Sequence, residues 1–323
     1  MIFISIKMIN LYQKLKVIMP SFYKKINGNY MKRNKIGIVF DFDITLSPYY
    51  QQRELINHWG EDEAKFWERC TLKVTDEDYD MEHGCIKVIL EYIDENETYQ
   101  VSNQDLYNLG KQITLYDGLT KRDGQNSIFD DITTITKSEE YEKLNIEVEY
   151  YVISGGLTQM IKGALDGNNL SHYFKEVFAC TLDENKNGVI NFPKETVGHT
   201  IKTQKLFQIS KGLQHKVNDK LDEFEILFRN IIYLGDGETD IPAFSLVNQM
   251  GGTSIAVYRE SKNSDGTIDE EKTKETYRNS FEFAIKSKRA EQLLPADYST
   301  GKPLKIALEN YVKILCENIK NQQ

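Results

Sequence analysis

Three short apolar runs, each cut off by a cluster of polar residues, constrain this chain more than any other feature. Ile36-Gly37-Ile38-Val39-Phe40 runs into Asp41 and Asp43, and Tyr150-Tyr151-Val152-Ile153 runs into Ser154-Gly155-Gly156. Ile231-Ile232-Tyr233-Leu234 runs into Gly235-Asp236-Gly237. Unbroken apolar runs of this length, bounded by turn residues, suit strands buried on both faces of a parallel sheet. Ser254-Ile255-Ala256-Val257-Tyr258 adds a fourth. Open α/β sheets bind ligands beyond the carboxyl ends of their strands, so polar residues at three such ends mark one expected site.

Between the first two runs the pattern changes. Leu55, Ile56 and Trp59, then Phe66 and Trp67, then Ile86, Val88, Ile89 and Leu90, and finally Leu106, Leu109 and Ile113 recur at near-helical spacing. The spacing predicts a helical insertion over residues 49–114 that caps the strand ends, its Trp and Phe residues forming its own core. Residues 31–48 and 115–323 then form an α/β core, with Leu115-Tyr116-Asp117-Gly118-Leu119 returning the chain to it. A length of 323 residues suits one such core with an insert. Residues 1–30 read as an N-terminal extension: either residues upstream of a second start at Met31, or a basic amphipathic surface helix.

Asp41-Phe42-Asp43-Ile44-Thr45-Leu46 places two carboxylates at the end of a buried strand. Such a pair needs positive charge nearby, and a hard oxygen set suits magnesium. An Asx-type turn with two solvated aspartates is the local alternative. In Ser154-Gly155-Gly156 a hydroxyl precedes glycines that let backbone N–H groups approach an anion, with Gly156 placed to open a helix. A plain turn with a serine cap explains it equally well. Gly235-Asp236-Gly237-Glu238-Thr239-Asp240-Ile241-Pro242 reads as a tight strand-to-helix loop, with Pro242 in the first helical turn. Its acidic residues also suit helix caps. Lys202 opens a helix-like segment and can balance these carboxylates; Lys205 and Lys211 compete for that role.

Taken together and in this order, these elements resemble the haloacid-dehalogenase-like hydrolase superfamily, and within it the phosphoserine-phosphatase-like branch. Asp41 to Leu46 is similar to the family's DxDxT motif, and Ser154-Gly155-Gly156, Lys202 and Gly235 to Asp240 to its later motifs. The resemblance covers roughly Lys35 to Val257 and implies a Rossmann-like parallel sheet core with an inserted helical cap. It implies a magnesium-dependent phosphomonoesterase acting on a small phosphorylated metabolite through an aspartyl-phosphate. Asp41 would be the nucleophile and Asp43 the acid and base. Ser154, Gly155 and Lys202 would bind phosphate. Asp41, Asp43 (through its carbonyl) and Asp236 would hold Mg2+, and Asp240 would position Lys202 or a water on the metal. A phosphotransferase or mutase using the same intermediate, or a non-catalytic phosphate-binding module, are the alternatives. The branch carries a glutamate, suited to a substrate ammonium, where Tyr50 stands here, which argues against phosphoserine.

Charge and cysteine content set the remaining expectations. A net charge of -9 without a basic stripe argues against nucleic-acid partners. No apolar run is long enough to span a bilayer. Cys70, Cys85, Cys180 and Cys316 are scattered, as reduced thiols of a cytoplasmic protein would be. Asp183-Glu184-Asn185-Lys186-Asn187-Gly188 imitates the start of a calcium loop, but Lys194 stands where the bidentate glutamate is required. A β-hairpin is the better reading of that segment.

Overall fold

The computed structural model describes residues 34–122, 124–221, 223–263 and 265–322. The expected extension at residues 1–30 lies outside them. Strand β1 is Lys35–Phe40, β2 Glu147–Leu157, β3 Phe174–Glu184, β4 Ile190–Glu195, β5 Ile231–Gly235, β6 Thr253–Tyr258 and β7 Gln292–Pro295. They form one seven-stranded sheet in the order β4-β3-β2-β1-β5-β6-β7. Every pairing is parallel except β3 with β4, which is the expected hairpin. Its turn closes with Gly188 N–H donating to Asn185 O at 3.0 Å.

β1 shows why the centre of the sheet is buried. Ile38, Val39 and Phe40 follow one another and are each 0–1% exposed. Successive strand residues face opposite sides, so both faces of the sheet are covered. Phe40 packs edge-on against Phe129 and Tyr298, while Tyr233 of β5 meets Phe244 at 5.7 Å. The fold is therefore an α/β Rossmann-like sheet, as the apolar runs predict.

The helices are α1 Gln52–Trp59, α2 Glu63–Thr75, α3 Met81–Glu95, α4 Asn103–Gly110, α5 Ile128–Thr136, α6 Thr158–Gly167, α7 His199–Lys211, α8 Ile241–Gln249, α9 Glu270–Ser280 and α10 Pro303–Lys320. None among the described residues is long and apolar enough to cross a membrane. Local signals set several starts. Asp62 caps α2, and Ser102 and Ser127 form capping boxes with Asp105 and Asp130 at α4 and α5. The helix expected to open at Gly156 starts two residues later, because β2 continues through Leu157.

Residues 49–114, between β1 and β2, form four helices, α1 to α4. Trp59, stacked on Tyr92 and Tyr99, and the fully buried Phe66 form an aromatic core within α1 to α3. The fourth helix, α4, behaves differently and packs against α6. A Cβ on Gly110 would lie 2.2 Å from Met160 O, and one on Gly163 would lie 2.0 Å from Tyr107 O. Backbones this close admit no side chain. Gly163→Ala should therefore lose stability, by about 1–3 kcal/mol for an overpacked contact, despite alanine's better helix propensity. A urea midpoint equal to or above that of the wild type would refute the close crossing.

Candidate active site

Omitting the antiparallel β4, the parallel strands run β3-β2-β1-β5-β6-β7. The chain builds outward from β1 through β2 to β3, then crosses back and builds the other way from β5. The order thus reverses between β1 and β5, where a crevice opens at the carboxyl ends of the strands. Asp41 follows β1 and Asp236 follows β5. The two strand ends are tied together by Asp41 N–H donating to Leu234 O at 2.8 Å.

Lys202, on α7, reaches this point with its side chain 1% exposed. Its Nζ stands 2.6 Å from Asp240 Oδ1 and 3.3 Å from Asp41 Oδ2. Burial works against its charge, but Asp240 and Asp41 hold the ammonium above its ordinary range. The competing lysines are engaged elsewhere. Lys205 pairs with Glu195 at 2.5 Å, and Lys211 donates to the carbonyl of Asp219 at 2.6 Å.

Asp240 is fully buried and both of its carboxylate oxygens accept hydrogen bonds. Oδ1 accepts from Lys202 and from Tyr233 OH, each at 2.6 Å, and Oδ2 accepts from Gly237 N–H at 3.2 Å. Asp43 is equally occupied: Oδ1 accepts the Gln51 backbone N–H at 2.8 Å and Oδ2 accepts Gln51 Nε2 at 3.0 Å. Asp41 Oδ1, by contrast, is buried with no hydrogen-bond partner among the described residues.

Ser154 sits in the stretch where β2 shifts register against β3, between Ile153 and Leu157. Such bulges re-aim side chains at sites. The Ser154 Oγ accepts Gly156 N–H at 3.0 Å, which leaves its own proton available to an anion. In the loop after β1, Ile44 holds φ 60, a left-handed conformation that is strained for a β-branched residue. Its neighbour is fixed by Tyr298 OH donating to Thr45 O at 2.9 Å.

Burial pushes Asp41 up to about 7 against the pull of Lys202, and Asp43 up to about 6 against the Gln51 N–H bonds. Asp236 is raised well above its ordinary value by burial and by the charges of Asp41 and Asp240. One oxygen each from Asp41, Asp236 and Asp240 lies within 4.8 Å of the others. Hard oxygen donors and an orphaned Asp41 Oδ1 fit a cation such as magnesium. Asp240 is the most heavily engaged of the three, and Asp41 Oδ1 is open.

Sequence reasoning missed Gln51, which binds Asp43, and Tyr233, which binds Asp240. The Tyr233 contact was visible in principle, because a tyrosine inside a fully buried strand must find a partner for its hydroxyl. Tyr50 lies 5.0 Å from Trp67, and its phenol is raised by burial and by the charges of Asp236, Asp43 and Asp41.

No family model matches the chain. An uncharacterized protein of Borreliella burgdorferi is 29% identical over 245 residues, 68% of this chain and 80% of that protein. A substrate-bound phosphoserine phosphatase structure is 17% identical, with TM-score 0.49, over 85% of this chain and 98% of that one. Cytosolic 5'-nucleotidase IIIB bound to cytidine is 14% identical, with TM-score 0.47, over 94% of this chain and 93% of that one. A haloacid-dehalogenase-family hydrolase of Salmonella enterica serovar Typhi is 19% identical, with TM-score 0.46. That match covers 69% of this chain, which spans 62% of the hydrolase. At these values the likenesses add no functional argument to the geometry.

Two predictions follow from the charges. Lys202→Met leaves two buried carboxylates unpaired and should cost about 3–5 kcal/mol, read as a lower denaturant midpoint; an unchanged midpoint would contradict the ion triad. Asp41 and Asp43 bind protons more tightly folded than unfolded, where aspartate titrates near ~3.9. By linkage, their contribution to stability is lost as pH rises through about 7. In EDTA the wild type should therefore fall in thermal stability relative to Asp41→Asn between about pH 4 and pH 7, and magnesium should recover the loss. A wild-type-to-variant difference that stays constant with pH would refute this.

Proposed function

We propose that this chain is a magnesium-dependent phosphomonoesterase of the haloacid-dehalogenase-like superfamily. It acts on a small phosphorylated metabolite through an aspartyl-phosphate on Asp41, with residues 49–114 as its cap. The carrying observation is the buried Lys202 ammonium between Asp41 and Asp240 at the β1–β5 crevice. That arrangement suits phosphoryl transfer, which needs positioning and charge compensation more than elaborate covalent chemistry.

In this reading an Asp41 carboxylate oxygen attacks phosphorus as the ester P–O bond breaks. The electron pair leaves on the ester oxygen, which takes a proton from Asp43. Asp43 then removes a proton from water, whose oxygen attacks the same phosphorus. The P–O bond to Asp41 breaks, its electrons return to the carboxylate, and inorganic phosphate departs. The Ser154 hydroxyl and Gly155 N–H hold the phosphoryl oxygens in both steps. Lys202 orients Asp41 and screens its charge, and Asp240 anchors Lys202.

Asp41, Asp236 and the Asp43 carbonyl would hold Mg2+, which supplies positive charge against the phosphoryl oxygens when bound. The near-neutral Asp43 carboxyl suits a group that must both give and take a proton.

The test is phosphate release from para-nitrophenyl phosphate. Activity should require magnesium and fall by at least about 1,000-fold in Asp41→Asn. Full activity in that variant, or in excess EDTA, would sink the mechanism. Transfer to glycerol in excess of hydrolysis would shift the reading to a phosphotransferase.

A further inference from the structure

Gln51 is completely buried, an unusual place for a glutamine. Its backbone N–H and its Nε2 each donate to one oxygen of Asp43, at 2.8 and 3.0 Å. Its Oε1 accepts Leu157 N–H at 2.8 Å, at the end of the Ser154 bulge. A Cβ on Gly156 would lie 1.7 Å from Gln51 Nε2 and 3.1 Å from Asp43 Oδ2. The bulge thus gives up a side chain at residue 156 to admit this amide and the carboxylate it carries. Gln51 is also the last residue before α1, where the chain enters the proposed cap.

From these contacts we infer that Gln51 is a positioning residue: it locks the Asp43 carboxylate over Gly156, facing the oxygen of the departing group. The inference rests on the phosphatase reading above. Two hydrogen bonds to a carboxylate fix its plane as well as its place, whereas one would leave it free to turn. The third bond anchors the amide to β2, so the orientation of Asp43 is referred to the segment that would hold the phosphoryl group. In this role Gln51 acts through Asp43.

An ester whose leaving oxygen needs a proton should depend on Gln51, and one that departs as a stable anion should not. Benzyl phosphate and para-nitrophenyl phosphate are the two probes. Their kcat/KM values report the steps up to phosphorylation of Asp41. Gln51→Ala should lower kcat/KM about 10–100-fold for benzyl phosphate, within the range of general acid catalysis, and less than about threefold for para-nitrophenyl phosphate. Gln51→Glu keeps the volume but turns an oxygen toward Asp43, and should give the same split should the alanine variant fold poorly. In an Asp43→Asn background, Gln51→Ala should cost benzyl phosphate nothing further. Equal losses on both esters, or an additive loss in the double variant, would overturn the inference while leaving the phosphatase reading intact. A wild type inert toward both esters would overturn the two together.

Discussion

One buried ammonium holds this crevice together. Lys202 comes from α7, Asp41 from the end of β1, and Asp240 from the loop after β5. Without Lys202 the two carboxylates would lie buried and uncompensated, and an unpaired charge in such a place costs several kcal/mol. The sheet order brings the two carboxylates to adjacent strand ends, and α7 lies where its lysine can reach both. Tyr233 OH and Gly237 N–H also donate to Asp240. That leaves Asp41 with one oxygen still unspent.

Around this triad, the regular elements become irregular where the crevice needs them to. β2 loses register at Ser154 to Gly156, and the loop after β1 takes Ile44 into a left-handed conformation. Each departure is supported from outside its own segment. Gln51 fills the space over Gly156, and Tyr298 reaches from far along the chain to Thr45 O. Strain of this kind persists only where the surroundings over-determine it.

Much of this was legible in the sequence, for reasons that differ by element. β1, β2, β5 and β6 are runs of apolar residues that only a doubly covered sheet can accommodate, so they announce themselves. β7, Gln292–Pro295, is four residues long and half-buried, with nothing to separate it from a loop. The helix after Ser154 begins later than the glycines suggest, because pairing with β3 carries β2 on to Leu157. Asp41, Asp236 and Asp240 sit beside turn signals and could be picked out by residue type, whereas Lys202 shares its helix with Lys205 and Lys211 and needed the structure to single it out. Gln51 could not be picked out, since nothing local distinguishes a glutamine that binds a distant carboxylate from one that faces water.

The crossing of α4 and α6 has a mechanical meaning. Gly110 and Gly163 bring the two helix backbones into direct contact, so α4 is bolted to the layer that covers the sheet. The insertion is therefore moored at its far end before the chain returns to the core at Leu115. The other end of the insertion is held at Gln51, which bonds Asp43 and Leu157 N–H. The segment is thus tied to the core at both its ends, and one of the two ties is the residue that grips Asp43.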